Sequence, residues 1–139
     1  MTPNDEPQVA PFTAEVSHGA QGLLSQLAYT WSHAEDGEQS GLLVFGAGEE
    51  PGSVLALWCD AWHQKAAKPL TGRADGPLVR LSCTYEGDWE WVIELDASDP
   101  DALRLRMDNV IPESAAAQGY PPGAYWAMRA ELTRAASVR

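Results

Sequence analysis

A carboxylate set between two indoles is the first chemically suggestive feature of this sequence. In the run SVLALWCDAWHQ (53–64), Asp60 follows Trp58 by two residues and precedes Trp62 by two. If the run is a single extended strand, these three side chains share a face. Burial there would disfavour the charged carboxylate and raise its pKa unless a partner compensates. Asp60 then has three possible roles. It is a general acid or base in a dry pocket, or it orients an ammonium or hydroxyl group while the indoles pack against the rest of a ligand. Otherwise it is a structural carboxylate that caps a turn or pairs with Arg104 or Arg106. His63 falls on the opposite face of such a strand, so an Asp60–His63 dyad needs a bulge near Ala61; without one, His63 is a rim histidine. In an enzyme reading, His63 or Tyr85 would assist Asp60.

Other chemistries find less support. Cys59 and His63 share a face but lie about 13 Å apart along a strand, too far for a nucleophile–base pair. His18, His33 and His63 are scattered, with no HxH or HxxxH spacing, so no metal and no other cofactor is expected. The nucleophile-elbow, dinucleotide and P-loop motifs do not occur. The two cysteines, Cys59 and Cys83, form no CxxC pair and are expected to be buried free thiols.

Elements able to position these groups can be read from the remaining pattern. The chain has 139 residues, 45% apolar, and a formal net charge of -11. That length suits one domain, and that charge repels phosphate backbones and anionic lipid, so no nucleic-acid or membrane partner is expected. Residues 1–12, acidic and proline-rich without a secretory leader pattern, are expected to form a flexible tail of a cytoplasmic protein. Residues 13–25 are ambiguous between a short helix and a lid segment. From Gln26 onward, strand-like runs alternate with polar or Gly/Pro turns: 27–33, 41–47, 53–64, 70–75, 78–86, 89–97, 102–110 and 125–134.

The period within these runs is two. Trp89, Trp91, Ile93 and Leu95 alternate with Glu90, Val92, Glu94 and Asp96; Leu103, Leu105 and Met107 alternate with Arg104, Arg106 and Asp108. Glu90, Glu94 and Asp96 are set to face Arg104 and Arg106 across a strand pair. The connections are too short for parallel crossovers. The expected fold is all-β, an antiparallel up-and-down closed barrel of about eight to ten strands. A sandwich is the alternative, disfavoured because it needs longer returns. The 111–124 segment, IPESAAAQGYPPGA, is long enough to be a lid or binding loop.

Six tryptophans in a small barrel must either fill it or line a pocket. In the binding reading, Tyr29, Trp31, Trp58, Trp62 and Trp91 line the site, and Asp60 or Asn109 orients the ligand. Met107, Tyr120 and Trp126 complete the candidate lining. The 53–64 run is apolar on both faces, so its outside should be covered by the N-terminal segment, the 111–124 loop or a second subunit.

The phrases WCDAWHQ, LTGRAD, WEWVIEL, LRLRMDNVIP and YWAMRAEL, in that order over about residues 25–135, resemble those of small bacterial lipocalin-like barrel proteins. The resemblance implies a calycin-type barrel, an architecture of ligand carriers and of a few cyclases and isomerases. The Gly-X-Trp signature of secreted lipocalins and the GxWxGxG segment of nitrobindin-type haem barrels are absent. Three expectations follow: a binding protein for a small hydrophobic or aromatic molecule, a cofactor-independent enzyme of cyclase or isomerase type, or a homodimeric interaction module.

Overall fold

Alternation in the sequence becomes one inward-facing row per strand in the computed structural model, which describes residues 6–135. The strands are β1 (Phe12–Gly19), β2 (Leu24–His33), β3 (Gly37–Ala47), β4 (Ser53–Asp60), β5 (Gln64–Asp75), β6 (Leu78–Tyr85), β7 (Trp89–Asp96), β8 (Ala102–Ile111) and β9 (Gly123–Thr133). Each pairs antiparallel with the next, giving one sheet in sequential order. The sheet curls until β1 approaches β9. Among the described residues these two strands share no ladder, so the up-and-down barrel is nearly rather than fully closed. Short hairpins enforce this order. Gly76, with φ +55°, and Pro77 make the two-residue turn from Asp75 to Leu78, where a left-handed first position calls for glycine.

The inward rows meet in register. Leu27, Leu43 and Trp58 lie side by side across β2, β3 and β4, and Leu81, Ile93, Met107 and Met128 across β6 to β9. All are buried, and each large apolar side chain contributes about 1.5–3 kcal/mol by leaving water. Met107 is thus part of the packed core. Outside, Glu94 stands opposite Arg106 and Asp96 opposite Arg104, as the charge pattern anticipates, but Glu90 stands opposite Val110 rather than an arginine. The hydrogen bonds run elsewhere, however: Arg80 to Glu94, Arg104 to Glu131 and Arg106 to Asp108.

Several expectations need correction. Of residues 1–12, Phe12 already belongs to β1, 6–11 carry no regular secondary structure, and 1–5 lie outside the described residues. The ambiguous 13–25 segment is neither helix nor lid: it forms most of β1, a 3-10 turn at Ala20–Gly22 and the start of β2. The 53–64 run is not one strand. It ends at Asp60, turns through Ala61–His63, and resumes as β5, which also takes in the residues 65–69 expected to be a connection. The 111–124 segment holds a 3-10 helix, Glu113–Gln118, with Ala115 buried. Cys59 and Cys83 are free, as expected, but half-buried rather than buried.

The outer face of β4 is uncovered among the described residues. Leu55 is 56% and Leu57 51% exposed, and Leu24 on β2 and Leu42 on β3 are exposed with them. Across the sheet, Gly46 separates Leu24 from Leu55, and Leu42 lies opposite Cys59, next to Leu57.

Candidate functional site

Asp60 does not share a strand face with both indoles, because the backbone turns at it. Its Oδ1 accepts the main-chain N–H groups of Trp62 (2.9 Å) and His63 (2.8 Å). An Asp side chain that captures the amides two and three residues on closes a turn and competes with strand continuation. Of the structural roles open to it, capping a turn is the one Asp60 fills; its partners are not Arg104 or Arg106. The second oxygen, Oδ2, accepts the Tyr29 hydroxyl at 2.6 Å, and Tyr29 Oη in turn accepts the Trp58 indole N–H at 3.0 Å. Asp60 is fully buried.

The turn folds His63 back toward Asp60, which a straight strand forbids. His63 Nδ1 lies 3.3 Å from Asp60 Oδ1, and the imidazole is only 6% exposed, so it is not a rim histidine. The required irregularity is a register shift between Trp58 and Asp60, with Cys59 donating from Sγ to the carbonyl of Lys65.

Desolvation pushes the Asp60 carboxyl upward. Hydrogen bonding from His63 and Tyr29 outweighs it and holds the group down at about 2. The expected rise is therefore reversed by partners. Asp60 is an ionised acceptor with its lone pairs engaged, and it lines neither cavity described below. Its bonds go to the Tyr29 hydroxyl and to the turn that carries His63. Burial first, and then Asp60, drive the Tyr29 pKa up, so its hydroxyl stays protonated.

A second polar chain crosses the same end of the barrel. Cys83, Trp91, Asn109 and Tyr125 form one row across β6 to β9. Tyr85 donates to Asn109 Oδ1, and Asn109 Nδ2 donates to Tyr125 Oη at 2.7 Å. Burial pushes the Tyr85 pKa up to about 12, and its hydroxyl proton is held by Asn109. Burial also pushes the Cys83 thiol up.

The aromatic side chains gather where β2, β4, β6 and β8 end. Trp58 stacks on Trp91 at 5.6 Å. His63 is boxed by Trp31, Trp62 and Trp91, with ring centroids 5.2, 4.9 and 5.4 Å away. Trp62 sits in the turn, not on the Trp58 face; it stacks on His33 at 5.0 Å and donates its indole N–H to Asp36. Two cavities flank His63. One, about 190 Å³, is lined by Trp58, Trp62, Gln64, Cys83, Tyr85, Trp91 and Asn109. The other, about 330 Å³, lies toward Trp31, His33, Phe12, the 6–10 segment and β9. Among the described residues, four buried side-chain nitrogens here lack a hydrogen-bond partner: Trp31 Nε1, Trp91 Nε1 and both ring nitrogens of His63, whose Nδ1 faces Asp60 off the hydrogen-bond axis.

Most of the expected lining is thus brought together: Trp31, Trp58, Trp62, His63, Tyr85, Trp91, Asn109 and Trp126 border one cavity or the other, and Tyr29 lies behind them. Met107 and Tyr120 do not join them; Tyr120 packs edge-on against Trp89. Tyr125, His33, Gln64 and Cys83 were not among the lining residues expected from the sequence. Tyr125 displaces its neighbour Trp126 from the inward row because the β8–β9 register shifts between Met107 and Asp108. Trp126 is instead half-exposed beneath Arg129. Among the described residues no three His, Cys, Asp or Glu side chains converge as a metal site.

The class of protein defined here is a nine-stranded antiparallel up-and-down β-barrel with an aromatic-lined end. No protein-family model matches the chain, and neither a curated protein nor a solved structure does.

Proposed function

We propose that the barrel is a binding protein for a small hydrophobic or aromatic molecule, held at its aromatic end, in keeping with the lipocalin-like resemblance of its strand phrases. The observation that carries this reading is His63. A buried imidazole nitrogen without a partner costs about 1–3 kcal/mol, and His63 faces two cavities with two unpartnered indole N–H groups beside it. A guest that supplied the missing partners would recover that cost. Apolar walls with a few placed polar groups are the usual form of a small-molecule site.

Tryptophan emission reports on this region directly, since Trp31, Trp58, Trp62 and Trp91 all border the cavities. Titration with a panel of aromatic and aliphatic small molecules should give saturable changes for aromatic compounds that compete with one another. A flat response across the panel, with an experimental structure showing both cavities filled by side chains, would remove the reading.

A second reading concerns assembly. The exposed leucines on the outer face of β2–β4 support a homodimer in which two such faces meet. Light scattering should then give twice the chain mass, and Leu55→Glu with Leu57→Glu should halve it without unfolding the barrel. A wild-type monomer at high concentration sinks this idea.

A further inference from the structure

The larger cavity has one wall unlike the others. β1 and β9, the two strands that share no ladder, both border it, and Glu6, Pro7, Gln8 and Ala10 line it as well. Residues 6–11 belong to no strand, and every one of them is exposed. Among the described residues, none of the six makes a hydrogen bond. Their root is fixed by contrast. Phe12 opens β1 opposite Trp31 and stacks on Tyr29 at 5.5 Å.

The composition of this segment suits it to closing over something. Val9, fully exposed, is the one residue of 6–10 that does not line the cavity, so the segment turns a side toward it. Pro7 and Pro11 fix φ and keep the backbone from wandering. A chain stiffened in this way loses less entropy when it is pinned. A segment without buried side chains or hydrogen bonds sits at the low end of local stability. A guest in the cavity gives it a surface to pack against. The cavity volume is about 330 Å³, about twice the roughly 150 Å³ that admits benzene, so two fused rings match it.

We infer that residues 6–11 are a strap over the larger cavity, hinged at Phe12 and secured by the guest rather than by the barrel, and that this guest is about two fused aromatic rings in size. The inference rests on the reading of the aromatic end as a ligand site. It makes the segment part of that site rather than a solvated tail.

The test uses β-naphthol and the full chain, with saturation followed by tryptophan emission. Without the probe, the amide order parameters of Gln8, Val9 and Ala10 from nitrogen relaxation should lie below about 0.6, and with it they should rise toward about 0.85. Pro7→Gly with Pro11→Gly should weaken β-naphthol binding about fivefold, the loss expected from loosening two such positions. The thermal midpoint of that variant should not move, because nothing in the free barrel holds the segment. Order parameters already high without the probe, or a lowered midpoint, would mean that the barrel itself pins residues 6–11. Order parameters that stay low with the probe bound, or an unchanged affinity, would make the segment a tail. Either result overturns the strap and leaves the aromatic site standing. If β-naphthol does not bind the wild type, the two-ring guest and the strap fall together, and the panel titration still decides whether the aromatic end takes any ligand.

Discussion

Replacing Asp60 by alanine should lower the unfolding free energy by about 3–5 kcal/mol, the range for leaving a buried charged network without one member. Denaturant titration measures it. The substitution orphans the Tyr29 hydroxyl and the main-chain N–H groups of Trp62 and His63, and so undoes both the floor of the barrel end and the turn that carries the imidazole. The pH dependence has a fixed sign. Asp60 ionises at about 2 in the folded chain against 3.8 ordinarily. A depressed folded value means stability that is fully present above the unfolded pKa and is lost as pH falls through the folded one. The wild type should therefore lose about 2 kcal/mol between pH 5 and 1 from this group, and Asp60→Asn should lack that component. A loss under about 1 kcal/mol for Asp60→Ala, the size of an ordinary single hydrogen bond, would show that the network is not what holds this end together.

Gly41→Ala is the second large effect. Gly41 sits in register between Tyr29 and Asp60, and a Cβ there would overlap Cζ and Oη of the Tyr29 ring. The ring has no easy retreat, because Phe12 stacks on it at 5.5 Å. Overpacking of this kind, joined to loss of the Tyr29–Asp60 hydrogen bond, should cost about 3 kcal/mol. Thermal unfolding should show the drop, and a Tyr29→Leu background, which removes the overlapping atoms, should shrink it. Equal penalties in both backgrounds would place the strain elsewhere.

The strands in which charge and apolar residues alternate cleanly were the legible ones. Trp89–Asp96 and Ala102–Ile111 carry their inward rows in the sequence, and even the facing of Glu94 with Arg106 follows from it. The 53–64 run was opaque for a physical reason. Being apolar on both faces, it offers no phase, and nothing marks the Asp60 side chain as the acceptor that ends the strand. Burial then separated what looked equivalent: Trp58 went inside, while Leu55 and Leu57 stayed in water. In β9 the adjacent Tyr125 and Trp126 could exchange faces by a one-residue slip, and the β8–β9 register shift decided between them. That aromatic side chains would gather inside the barrel was anticipated, but the approach of His63 to Asp60 was visible only as a condition on a bulge.

Besides the gap between β1 and β9, a second stretch of wall lacks strand pairing. β5 and β6 are laddered only from Thr71 opposite Ser82 to Asp75 opposite Leu78. Continued past Thr71, that register would set 68–70 opposite 83–85, where no pairing is present, and Gln64, Cys83 and Tyr85 border the smaller cavity. A seam of this sort can part without breaking a ladder, so opening there costs much less than unfolding. Guest exchange through it would run on the clock of local breathing, and how long a molecule stays would be set by that seam rather than by how stable the barrel is.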